Sequence, residues 1–212
     1  MSHAELDTPE PASGPGGDAP AAVRKRPKPG ERRVQILQAL ATMLEQPGSE
    51  RITTAALAAR LDVSEAALYR HFASKAQMFE GLIEFIEQSV FTLINQINER
   101  EPAGPAQAGH IVAMLIQFAE KNPGMTRVMV GDALVFENER LQQRMNQFFD
   151  KVEASLKQCL RNTSDAAAPT VDATVRASVL TAFIVGRLQR FARSGFKRAP
   201  SEHLEASLAR IL

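Results

Sequence analysis

ITTAALAARLDVSEAALYRHFASK, residues 52–75, decides how the whole chain is read. It holds two short helical patterns a few residues apart. Thr53 or Thr54 can cap the first, which runs to about Ala59 or Arg60. Ser64 can cap the second, with Glu65 in the first turn, where the helix dipole favours an acid. Two short helices so joined make a helix-turn-helix pattern. At about 100° per residue, Leu68 and Phe72 share one stripe of the second helix and face inward. Ala66, Ala67 and Arg70 point broadly away, with Tyr69 and His71 on the flanks. An apolar back anchors such a helix, a front of small residues can approach a surface closely, and hydrogen-bonding groups line its edges. Entry into a major groove about 12 Å wide needs that layout.

Roles follow from residue type. Ser64, Glu65 and Ala66 stand at the end of the helix that reaches base edges in helix-turn-helix docking, although Ser64 can be occupied as a cap. Tyr69 and His71 suit phosphate contacts, which position without specifying, and Arg70 lies on the outward face beside them. Lys75, in the first turn of the next helix, can reach backbone phosphate together with amide groups there. Thr53 and Thr54 can add hydroxyl and N–H contacts. Each residue alone is equally well explained by capping, surface or packing. The joint spacing carries the reading.

Working outward, the rest of the pattern is helical. Residues 1–30 are rich in proline, glycine, serine and charge, too poor in apolar groups to offset the entropy of ordering, and are expected to be disordered. Their basic end, Arg24 to Lys28, belongs to RKRPKPGERR (24–33), a local cationic arm. It is either a solubilising tail or an arm that touches a polyanion. Val34, Ile36, Leu37, Leu40, Ala41 and Leu44 predict a helix ending near Pro47-Gly48. A long helix begins at Ser74 and runs to about Arg100. Another spans roughly 107–121, and Asn122-Pro123-Gly124 predicts a turn. Residues 125–140 predict one or two short helices, and 138–161 a long amphipathic one. A loop is expected over 163–170. The helix expected over 171–194 is apolar on more than one face, which favours a partner copy over a buried monomer helix. A short helix from about Ser201 ends the chain. The fold class is all-α: a disordered tail (1–30), a helix-turn-helix head (31–75) and a helical body for partner binding and dimerisation (76–212).

Composition bounds the function. The 212 residues carry a net charge near +1, so the cationic arm is a local feature. The single cysteine, Cys159, excludes an internal disulfide and a thiolate metal cluster. No apolar stretch resembles a signal peptide or spans a bilayer, so a cytoplasmic location is expected, without a membrane segment. No nucleophile elbow, phosphate-cradling glycine loop or metal constellation is present, so neither an enzyme, a cofactor nor a metal is expected.

The spacing T-x-x-x-L-A-x-x-x-x-V-S-x-x-x-L-Y-x-H-F-x-x-K resembles the DNA-binding domain of TetR-type regulators. Thr53, Leu57, Ala58, Val63, Ser64, Leu68, Tyr69, His71, Phe72 and Lys75 satisfy it. Asp62 stands where the family often has glycine, and aspartate adopts positive φ at modest cost, so the turn is expected to be kept. Residues 51–89, 122–149 and 191–200 also resemble one branch of the family, the nucleoid occlusion factors, over about residues 31–200. That resemblance implies a nucleoid-associated homodimer on pseudo-palindromic double-stranded DNA. It implies binding to the tubulin-like division protein FtsZ, disruption of its polymers and a block on septum assembly over the nucleoid. By position it assigns Phe85, Lys121 and Asn122 to the FtsZ surface. Phe85 can equally be core. Lys121 stands where arginine is implied, and Leu93 and Gln117 depart from the branch as well. The alternative is a ligand-responsive TetR-type repressor with an apolar pocket in the body.

Overall fold

The computed structural model describes residues 30–46, 52–161 and 169–212. The expected tail lies outside the described residues apart from Gly30, as do Pro47-Gly48 and most of the 163–170 loop. Every regular element among the described residues is helical: α1 (Glu31–Leu44), α2 (Thr54–Arg60), α3 (Glu65–Tyr69), α4 (Lys75–Arg100), α5 (Pro105–Lys121), α6 (Pro123–Met129), a 3-10 turn (Asp132–Leu134), α7 (Glu139–Leu160), α8 (Pro169–Arg193) and α9 (Leu204–Leu208). None is long and apolar enough to cross a membrane.

Local chemistry sets several of these limits. Thr53, Ser64 and Ser74 cap α2, α3 and α4, each side-chain oxygen accepting from a backbone N–H three residues on. Asn138 caps α7, its side-chain oxygen accepting from Arg140 N two residues on. Pro105 and Pro123 open α5 and α6, where the fixed φ of proline suits the first helical residue and its missing N–H costs nothing. The turn expected at 122–124 is therefore the start of a helix. The last helix starts at Leu204 rather than Ser201, because His203 precedes it at φ +53°.

The head is α1 to α3 closed by the first turns of α4. Ile36, Leu40, Leu57, Leu68, Phe72, Met78, Phe79 and Leu82 are buried. Burial of a Leu or Phe of this kind contributes about 1.5–3 kcal/mol, far more than a five-residue helix gains from its own hydrogen bonds. Gly81 lets α4 come close: a Cβ there would stand 3.2 Å from the Phe72 ring and 3.3 Å from Leu37. The boundary expected at 75/76 thus falls in the first turn of a helix that head and body share. Val34, expected in the apolar stripe of α1, is exposed.

The body wraps α5 with α4, α7 and α8. Leu141, Met145, Phe148, Val152 and Leu156 form the buried stripe of α7, at helical spacing. Phe148 stacks edge-on between Phe91 of α4 and Phe149, at 5.6 and 5.0 Å between centroids. Burial pushes the Cys159 thiol pKa up, keeping it an inert hydrophobe.

Head and body meet where α6 crosses α1. A Cβ on Gly124 would lie 1.9 Å from the carbonyl oxygen of Ala41. Beside it, the buried guanidinium of Arg127 donates to Asp132 (2.8 Å) and to the Leu44 carbonyl at the C-terminus of α1 (3.4 Å). A cation there also meets the negative end of the α1 dipole. Gly124→Ala should force α6 off α1 and cost about 3 kcal/mol or more. A urea midpoint close to that of the unmodified chain would contradict this packing.

Candidate nucleic-acid interface

The cap of α3 leaves its outer face bare. Leu68 and Phe72 are buried, while Ser64, Glu65, Ala66, Tyr69, Arg70 and His71 are exposed and Ala67 is half-buried. The turn before α3 is kept as expected, with Asp62 at φ +54°. Backbone bonds from Asp62 to Ala59 (3.2 Å) and from Val63 to Ala58 (3.1 Å) close it.

Three of the sequence-derived residues form one polar chain. Thr54 donates to Glu65 Oε2 at 2.5 Å, and the Tyr69 hydroxyl stands 3.5 Å from Thr54 Oγ1. The start of α2 is thereby tied to both ends of α3. The bond also holds the Glu65 carboxylate, the one acid of α3, in a fixed direction at the end that would meet base edges, where a carboxylate can accept from cytosine N4. Thr53 and Ser64 accept from Ala56 N (3.1 Å) and Ala67 N (3.3 Å) as caps. A capping hydroxyl still has its own proton to donate, so capping and phosphate contact are compatible.

His71 is fixed through its backbone. Its carbonyl accepts from Arg33 Nη1 at 2.6 Å, and the Arg33 guanidinium lies 4.1 Å from the centroid of the Phe72 ring. Arg33, one of the cations of the 24–33 run, therefore closes the head rather than standing in a free arm. Lys75 departs furthest from expectation. Its ammonium pairs with Glu137, in the segment between the 3-10 turn and α7. Two more pairs join α4 to α7: Arg140 with Glu80, and Arg144 with Glu87 at 2.6 Å. The Glu87 hydrogen bond holds the Arg144 pKa above its ordinary value.

Of the candidate partner-binding residues, Phe85 is 47% exposed on α4 and so is not core. Lys121 is exposed at the end of α5, and Asn122, half-buried, donates its amide to the Phe118 carbonyl (2.7 Å). Gln117 is exposed and Leu93 half-buried. On α8, Val171, Val175 and Val179 stand exposed one turn apart, followed by exposed Ala182 and by Gly186, around which a Cβ would meet nothing within 4 Å. The parts that Gly124, Glu137 and Arg33 play were not legible locally, because each acts on a partner distant in the chain.

Residues 36–82 match the family of bacterial regulatory proteins, tetR family, and residues 106–211 match the Tetracyclin repressor-like, C-terminal domain of SlmA-like proteins. The nucleoid occlusion factor SlmA of Idiomarina loihiensis is 51% identical over 177 residues, 82% of this chain and 90% of that protein. The SlmA proteins of Photobacterium profundum and Escherichia coli O81 are 50% and 52% identical, covering 84% and 82% of this chain and 92% and 90% of theirs. Among solved structures, a transcriptional regulator from Rhodococcus sp. Rha1 superposes with a TM-score of 0.68 at 19% identity, covering 84% of this chain and 92% of that one. FadR from Bacillus subtilis, in complex with stearoyl-CoA, gives 0.66 at 13%, covering 84% and 96%. Those two likenesses speak to the fold alone. The head, the shared α4 and the helical body together place the chain in the TetR family, and it belongs to the SlmA branch of that family.

Proposed function

We propose that the protein is a nucleoid occlusion factor. It holds double-stranded DNA at pseudo-palindromic sites as a homodimer, engages FtsZ through its body, disrupts FtsZ polymers and blocks septum formation over the nucleoid. The observation that carries this reading is the half-identity to nucleoid occlusion factors across head and body alike. TetR-type heads without that role would share the first three helices and diverge afterwards. On this reading the protein works in the cytoplasm on the nucleoid, as a regulator rather than an enzyme.

Each role rests on a stated geometry. The small face of α3, led by Ser64, Glu65 and Ala66, enters the major groove. Thr53, Thr54, Tyr69, Arg70 and His71 surround it and position the duplex through phosphate. The valine stripe of α8 meets its twofold mate, which places two heads on two half-sites. Its small residues, Ala182 and Gly186, allow a close approach of helices. Phe85 supplies an exposed aromatic anchor for FtsZ, with Lys121 and Asn122 at the end of the neighbouring helix.

The alternative, a ligand-responsive repressor, would use an open cavity of the body. This is a groove of about 830 Å³ between α5 and α9, lined by Ala106, Gly109, Ala113, Leu204 and Leu208 among others. One assay separates the two. The protein, a duplex bearing its site, FtsZ and GTP are mixed, and polymers are sedimented. Loss of pelletable FtsZ only with the specific duplex is expected, and Phe85→Ala should abolish that loss while sparing duplex binding. FtsZ that pellets unchanged, with a small apolar molecule releasing the duplex, would favour the repressor.

Two variants test the DNA-binding arrangement. Thr53→Ala should weaken duplex binding roughly fivefold, about the 1 kcal/mol that a cap and its contact supply, without changing the oligomer. Val179→Glu should shift the dimer to monomer in sedimentation velocity and reduce affinity for a duplex with two half-sites. An intact dimer would remove α8 from the interface.

A further inference from the structure

Lys75 is the first residue of α4, at the edge of the face that meets DNA. Its side chain is 26% exposed, and its ammonium is held by Glu137, which is only 10% exposed. The ammonium also lies 5.7 Å from the centroid of the Phe79 ring. Among the described residues, Lys75 is the one cation paired with Glu137. The three ion pairs between α4 and the start of α7 differ in sense. In the two farther along α4, that helix supplies the acid, Glu80 or Glu87. In the pair nearest the head, α4 supplies the cation. The carboxylate comes from the segment joining the 3-10 turn to α7, in which Val135 and Phe136 stand exposed. A side chain suited to a DNA phosphate is therefore held by an acid of the body.

We propose that Glu137 gates the head: a duplex phosphate takes Lys75 from Glu137, and the occupancy of the head is thereby transmitted to residues 135–138 of the body. The proposal rests on the DNA-binding reading above. A quarter of the Lys75 side chain stays exposed while it is paired, so a phosphate can reach it there. A phosphate on a duplex competes well, because neutralising it releases a condensed counterion. Once Lys75 leaves, a nearly buried carboxylate has lost its cation and faces a polyanion, and both effects drive the 135–138 segment outward. Arg140 and Arg144 keep the start of α7 on α4, so the movement is confined to residues 135–138, ahead of that helix. Glu137 is a positioning residue that never touches DNA.

The full chain and a duplex selected by it from a random-sequence pool provide the test. Affinity is measured across salt concentrations. Lys75→Gln should lower the slope of log K against log salt by about 0.9, the value for one phosphate contact. Glu137→Gln should tighten binding about fivefold or more, because exposed pairs reach about 1 kcal/mol and this pair is less exposed, with the slope unchanged. In the Lys75→Gln background, Glu137→Gln should have no further effect. A gain that persists there would mean plain repulsion between Glu137 and DNA and would overturn the gate, as would an unchanged slope for Lys75→Gln.

The chain has no tryptophan, so Phe136→Trp supplies a single reporter on the moving segment. Its emission should shift on adding duplex. It should stand at the shifted value without duplex when Glu137→Gln is also present, a reading that does not depend on the fold of the Lys75 variant. Emission unmoved in both cases would overturn the proposal. Absence of salt-sensitive duplex binding by the unmodified chain would overturn the DNA-binding reading along with it.

Discussion

The approach of α6 to α1 at Gly124 is the contact on which the arrangement of the molecule depends. With 1.9 Å between a hypothetical Cβ and the Ala41 carbonyl, only glycine permits it. The close packing brings Arg127 to the end of α1, where its guanidinium meets the Leu44 carbonyl and remains paired with Asp132. A buried arginine is tolerable only with such partners. The consequence is a head whose first helix is docked against the body, so that the direction in which α3 points is set by packing far from α3.

The second link is α4. It contributes Met78, Phe79 and Leu82 to the head core and Ile86, Val90 and Ile94 to the body core. A single continuous helix cannot bend cheaply between the two without a break in its hydrogen bonds, and none of its residues is a proline. Any force at its N-terminus is thus felt along the body. The three ion pairs to Glu137, Arg140 and Arg144 run along this same helix. Each is modest alone. Their value lies in holding the start of α7 in register with the head.

Much of this was legible in the sequence. A cap at Thr53 or Thr54, the cap Ser64, the start of a long helix at Ser74, the inward pair Leu68 and Phe72 and the positive φ at Asp62 follow from local chemistry and periodicity; in the structure Thr53 takes the first cap and Ser74 itself caps α4. The turn expected at Asn122-Pro123-Gly124 failed for a clear reason. Proline and glycine signal turns when taken alone, but proline also opens helices and glycine also serves close packing. Val34 was misplaced because a periodic pattern does not say where the neighbouring elements end. The second apolar face of α8 was visible as pattern, whereas the exposure of Val171, Val175 and Val179 needed coordinates.

The candidate site divides along the same line. Residue types and spacing over 52–75 determined by themselves that a small-faced helix with polar edges would be presented, because helix geometry fixes which side chains share a face. Only the tertiary structure decided which of those side chains are already engaged. Thr54 is bound to Glu65, His71 is held through Arg33, and Lys75 is held by Glu137, 62 residues away. The exposure of Phe85, which periodicity left open between core and surface, was decided in the same way. Pairings between distant segments depend on how helices pack, and packing is a property of the whole chain rather than of any stretch within it.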